Sequence, residues 1–418
     1  MDPCTLSAVE AVRRMRSGRL SARDLLESCL ERVSVREGEV KAFSFKAAQH
    51  PIGNAPQDGP LSGIPIGVKD VFDTADMPTE YGSPIWKNWQ PRAEAASVVQ
   101  VKRAGAIVIG KTVTAEFAIR TPGPTTNPHN PKHTPGGSSS GSAAGVADFF
   151  FPVALGTQAM GSIIKPAAYC GVVGFKPSFG ILPRAGAKSP ADSLDTVGIL
   201  AREVADCRLL FASMLGLRSD IDNRAAAPTP RIGFAKTFIW PKASAETQAL
   251  LERVAISLSR AGAIVADFDL PFQYEKLGSS FPTVLNYEAN QALAWERQTH
   301  PGHISAALLT QLETGSRSSF EQYFDATQTM QYLRRRFSDD LGDFDVLITP
   351  AATGEAPEGL ADIGDSSFNY IWTALHVPCV TIPVGVGSKH LPLGLQIIAR
   401  GGRDLDLLDF AIWILGHL

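Results

Sequence analysis

Apolar residues recur at helical spacing over residues 7–36, where Leu6, Val9, Val12 and Met15 mark one stripe. Gly18 stops that helix, and Ser21 followed by Asp24 reads as a capping-box variant opening a second one. After a polar loop at 50–60, Ile64 to Val68 is a short β-prone run ending at Lys69-Asp70. Residues 94–104 are predicted helical; Gly105 ends the helix before Ala106 to Ile109, whose unbroken apolar character suits a buried parallel strand. Residues 123–135 are rich in Pro, Asn, Thr and His and form a loop. A strand opening at 230–233, a helix over 245–261 and a strand over 263–268 repeat the helix, glycine, strand rhythm. Helices follow at 285–299, 303–314 and 319–339, a strand at 345–349 closed by Pro350, strands at 380–384 and 393–398, and a helix at 404–416. There is no internal repeat and no low-complexity linker. The fold class predicted is α/β: one domain over 1–418 with a single large mixed, mostly parallel sheet covered by helices on both faces. Within it, 1–60 is a helical N-terminal cover and 60–200 the core segment that carries the chemistry.

Charge and cysteine usage narrow the function. A net charge of −3 supplies no basic field for a phosphate backbone, so nucleic acid is not expected as a partner. The 5 cysteines are odd in number and widely spaced among apolar neighbours, which predicts reduced buried thiols. No C-x-x-C pair occurs, and neither a metal nor a cofactor is expected. The first residues, MDPCTLSAVEAVRRM, show no secretory pattern, so the expected location is cytoplasmic. The most apolar window, 143–175, is broken by Asp148, Pro152, Gln158, Lys165 and Pro166; it reads as buried core, with no membrane partner.

The chemistry concentrates between Gly136 and Pro177, where serines lie next to glycines inside that apolar run. Serines so placed either bond their own backbone in turns or bring a hydroxyl and backbone N–H groups close to a ligand. Ser138 and Ser162 are the candidates for the second role, with Lys69 upstream. A serine needs a base, usually histidine. None of the eight histidines has a catalytic setting, and His129, His133, His300 and His303 read as surface or structural residues. A buried lysine of lowered pKa is the alternative base. Competing readings stay open: Ser162 as a helix N-cap, Lys69 as a solvated lysine at a strand end, Lys165 as a solvated lysine, and Ser139 as the nucleophile of a G-x-S-x-G elbow. The elbow needs a preceding strand, and residues 130–135 are turn-rich instead.

GIPIGVKD, then GGSSSGS, then a Gly-Thr loop ending Gly161-Ser162, occur in the order and separations of the amidase signature family, which the chain therefore resembles. The likeness extends to Asn127-Pro128-His129-Asn130, to Cys170 through Pro177, to SLDTVG at 193–198, to DVLITP at 345–350 and to LGLQII at 393–398. Gln158 and PAAYCG at 166–171 resemble the malonamidase-like branch. The resemblance implies the amidase signature fold and a Ser-cisSer-Lys triad, with Ser162 as nucleophile, Lys69 as base and Ser138 as relay. The N–H groups of Ala159, Met160, Gly161 and Ser162 would form the oxyanion hole. Lys165 stands where that branch has an arginine for a substrate carboxylate. The implied activity is serine-dependent hydrolysis of a small-molecule amide such as malonamate through an acyl-enzyme. Carbamate or aryl-amide hydrolysis is the variant within the family, and a non-catalytic scaffold the reading from another class. A homodimer stays open. Two residues depart from the pattern: Met160 replaces a glycine, and its side chain would be strained at positive φ and would crowd the oxyanion loop even without it, while Ile164 replaces an arginine common in the family.

Overall fold

The computed structural model describes residues 2–48, 59–217 and 228–418, so most of the predicted 50–60 loop lies outside the described residues. Among the described residues eleven strands form one sheet: β1 Phe43–Lys46, β2 Pro65–Lys69, β3 Ile107–Thr112, β4 Val153–Gln158, β5 Val173–Lys176, β6 Thr196–Ala201, β7 Arg231–Ala235, β8 Ile264–Phe268, β9 Val346–Pro350, β10 Cys379–Val386 and β11 Pro392–Ile398. Their order is β1-β3-β2-β4-β6-β5-β10-β11-β9-β7-β8.

The large mixed sheet is as expected, but antiparallel pairing prevails within it. Among the described residues, parallel neighbours occur only toward the ends, β2 with β3 and β4, and β7 with β8 and β9. The other pairs run antiparallel. The physical reason is burial on both faces, which makes antiparallel strands in the sheet centre as continuously apolar as parallel ones.

Both faces are covered, and alternation along single strands records it. Val153 and Leu155 of β4 pack into one core while Ala154 packs into another, and Val108 of β3 parts in the same way from Ile107 and Ile109. The first core is closed by the helices Ala8–Arg16, Ala96–Arg103, Val204–Met214 and Asp404–Leu415; the second by Ala22–Val40, Ser140–Ala147 and Ile164–Cys170. A third core gathers the helices Leu277–Ala292, Phe320–Asp340 and Tyr370–Ala374 beyond β9.

Local signals hold at the N-terminus. Ser21 and Asp24 complete a capping box that opens Ala22–Val40. The 1–60 segment is not wholly helical, however, since Phe43–Lys46 pairs with β3 as an edge strand. The predicted 285–299 helix is two helices, Leu277–Ala292 and Ala294–Thr299. All five cysteines are buried and unpaired. His129 and His133 bond the carbonyls of Cys170 and Ala356, as structural histidines do. Among the described residues no helix is long and apolar enough to cross a membrane.

Candidate active site

The site lies at the carboxyl ends of β2 and β4. These neighbours run parallel, with Val68 opposite Leu155, so their ends open on one side of the sheet, where open α/β sheets receive ligands. Lys69 ends β2 and is fully buried. Its Nζ donates to Ser138 Oγ at 2.9 Å and to Thr157 Oγ1 at 2.9 Å. Burial holds its pKa down to about 7, opposed by the charge of Asp195. The reading of Lys69 as a solvated strand-end lysine is therefore excluded.

Ser138 belongs to a loop that several bonds fix. The Gly137–Ser138 peptide is cis. Ala115 N–H donates to Ser138 O at 3.1 Å, Ser139 N–H to Ser162 O at 3.2 Å, and the Ser139 hydroxyl to Thr157 O at 3.2 Å. Ser139 thus points into the backbone of β4 and is structural. No strand precedes it, although the helix Ser140–Ala147 follows, so the elbow fails for want of the strand it needs.

The loop after β4 is shaped by Gln158. Its Oε1 accepts from the N–H groups of Ile163 and Ile164 at 2.9 and 3.0 Å, and its Nε2 donates to Thr373 Oγ1 at 3.1 Å. The N–H groups of Ala159, Met160, Gly161 and Ser162 are left without protein acceptors among the described residues. The helix Ile164–Cys170 has Ile163 as its N-cap, so Ser162 is not the cap. Among the described residues the Ser162 hydroxyl has no hydrogen-bond partner, and Ser162 borders a cavity of about 630 Å³. Gly161 is required by close approach: a Cβ there would lie 2.4 Å from Asn369 Oδ1 and 2.9 Å from Ser366 Oγ.

Met160 does not have a positive φ, so the strain expected of a side chain there is absent. It packs partly against the third core and lines the cavity, and its carbonyl accepts from Thr373 Oγ1 at 2.9 Å. Lys165 is buried in the cavity wall rather than solvated. Its Nζ donates to Gly364 O at 2.7 Å, and burial pushes its pKa down to about 7 against the pull of Asp362 and Asp365.

Three features escape a reading of the sequence. Residues 361–366 line the cavity, a placement that no local pattern announces. Phe117 and Ala118 take φ of 47° and 61°, a strained turn that brings residues 118–122 to the cavity. Asp195, inside the quoted SLDTVG motif, is fully buried beside Lys69; burial raises its pKa to about 6 while Lys69 opposes the rise. Its motif could have drawn attention, but its pairing with Lys69 spans 126 positions of chain.

This arrangement of a buried lysine, a cis-linked serine and an unpartnered serine on a cavity coincides with a family match: the description Amidase fits residues 24–408. The chain belongs to the amidase signature family. One of the subunits of the glutamyl-tRNA(Gln) amidotransferase of Symbiobacterium thermophilum is 31% identical, covering 97% of this chain and 95% of that protein. The crystal structure of an amidase superposes with a TM-score of 0.88 at 27% identity, covering 99% of this chain and all of that one. Native peptide amidase from Stenotrophomonas maltophilia gives 0.82 at 26%, covering 99% and 96%.

Proposed function

We propose that this amidase signature protein hydrolyses a small-molecule amide through an acyl-enzyme on Ser162. The observation that carries the reading is the 2.9 Å bond from Lys69 Nζ to Ser138 Oγ in a buried pocket tied through Ser139 to the backbone of Ser162. Ser162 Oγ attacks the carbonyl carbon as its proton passes to Ser138 Oγ, whose own proton passes to the neutral amine of Lys69. The oxyanion is met by the free N–H groups at 159–162, donors typically worth about 3 kcal/mol each in such a site. The proton returns through Ser138 to the leaving nitrogen, the C–N bond breaks, and ammonia or an amine departs. Water then adds to the ester with Lys69 again as base, releasing the acid and restoring Ser162.

The substrate reading is less narrow than malonamate. A cavity of about 630 Å³ is in the range that holds drug-sized ligands, far more than malonamate fills. Lys165 offers a carboxylate its remaining ammonium donors from the wall beside Ser162. Aliphatic, aryl and carboxylate-bearing amides are the class we infer, with carbamates as the variant. With Met160 free of backbone strain, the non-catalytic scaffold rests on crowding of the loop by that side chain, which lines the cavity.

A fluorophosphonate probe with mass spectrometry tests the triad. Labelling is expected at Ser162 and absent in Lys69→Ala; labelling at Ser139, or none in a folded protein, overturns the reading. Ammonia release from malonamate, aliphatic and aryl amides by the parent and Lys165→Ala tests the anchor. Equal losses on acidic and neutral amides would exclude it.

A further inference from the structure

Asp195 is a buried ionisable group that the proposed proton path does not use. It is 1% exposed, and among the described residues neither carboxylate oxygen has a hydrogen-bond partner. The Ser189 hydroxyl and the Thr196 N–H are its polar neighbours, and neither reaches hydrogen-bonding geometry. A carboxylate removed from water without donors is costly unless a cation faces it.

The sheet supplies that cation. Thr196 opens β6 opposite Gln158, the last residue of β4, so Asp195 stands just past the β4 end. Thr157, one residue earlier on β4, is what Lys69 Nζ grips from β2. Asp195, Thr157, Lys69 and Ser138 therefore form one buried cluster joining three strand ends to the cis loop. The charges acting on Asp195 are Lys69 and Arg184. Arg184 is engaged by Asp192, through its carboxylate at 3.4 Å and its carbonyl at 2.7 Å. Among the described residues, Asp195 is the charge that acts on Lys69. The adjoining Asp70 and Lys111 neutralise each other at 2.9 Å.

We propose that Asp195 is a positioning residue for the base, an unpartnered buried carboxylate that stabilises the ammonium formed when Lys69 takes the serine proton. It rests on the acyl-enzyme reading above. Burial lowers the pKa of Lys69 and favours its neutral, basic form; Asp195 offsets the cost of the charge that proton transfer creates in the same buried space. The carboxylate acts through Lys69 and touches no substrate.

The test is the pH dependence of fluorophosphonate labelling at Ser162, compared in parent and Asp195→Asn. Labelling falls as pH drops through the Lys69 titration. Removing an opposite charge makes Lys69 easier to deprotonate, so this acidic limb should move to lower pH by about one unit or more, with a slower plateau. A limb that stays in place, or moves to higher pH, overturns the proposal; a merely structural aspartate would change the plateau alone. A second arm does not require Asp195→Asn to fold. In protein labelled with 13C at aspartate carboxyls, Lys69→Met should gain a protonated-carboxyl infrared band at neutral pH relative to the parent. No gain overturns the coupling. If the parent is not labelled at Ser162, the acyl-enzyme reading fails, while the infrared arm still reads the pairing.

Discussion

At the residue scale, Gln158 shows how one side chain sets the direction of a loop. By accepting from Ile163 and Ile164 it satisfies two N–H groups at the start of the following helix, while the N–H groups at 159–162 have no protein acceptor among the described residues. Gln158→Leu should strand two buried N–H groups at about 1–3 kcal/mol each, seen as a lower denaturation midpoint, and should slow Ser162 labelling about tenfold or more. Gln158→Glu, which keeps an acceptor, should lose less. Parental labelling in the leucine variant would remove this role. Ser138, Ser162 and Lys69 are legible in the sequence because their motifs are local. Asp195 is not, since its importance comes from a partner brought to it by strand pairing.

At the element scale, the helix Ser140–Ala147 lies so close to the sheet that glycines are needed on both sides of one ring. A Cβ at Gly145 would come within 2.3 Å of Phe151 Cζ, and one at Gly67 of β2 within 2.5 Å of the same atom. That contact sets the distance between the helix carrying the serine loop and the strand carrying Lys69. Gly145→Ala should therefore destabilise the protein by about 1–3 kcal/mol, measured by chemical denaturation. Adding Phe151→Leu should recover part of the loss, because the two changes share one space; additive losses would refute the shared contact. Helices with clear periodicity, such as Ala245–Arg260 and Phe320–Asp340, are legible to within a few residues. Strands β4, β5 and β6 do not separate from their flanking helices in the sequence, since a segment buried all round has no amphipathic period to show.

At the scale of the whole molecule, the fold buries lysines whose pKa is lowered, at a cost that depends on pH. Lys165 falls from an ordinary 10.5 to about 7 on folding. Between those values the unfolded chain binds more protons than the folded one, so this group makes stability rise with pH from about 7 to about 10.5 and lowers it below. Lys165→Met should flatten that rise in denaturant midpoints measured across the same window. A variant whose pH dependence matches the parent would show that Lys165 does not carry the linkage.

The chain's own pattern determined the helix caps, the two-faced α/β character, the serine and lysine motifs and the reduced cysteines, because each depends on neighbours close in sequence. Tertiary structure decided the rest. It set the balance of parallel and antiparallel pairs, since full burial erases the pattern that would distinguish them. It placed Lys165 in a buried wall, relieved Met160 of the expected strain, brought 361–366 to the cavity and set Asp195 beside Lys69. These outcomes depend on which distant segments share a space, and burial and electrostatics act on that shared space rather than on sequence order.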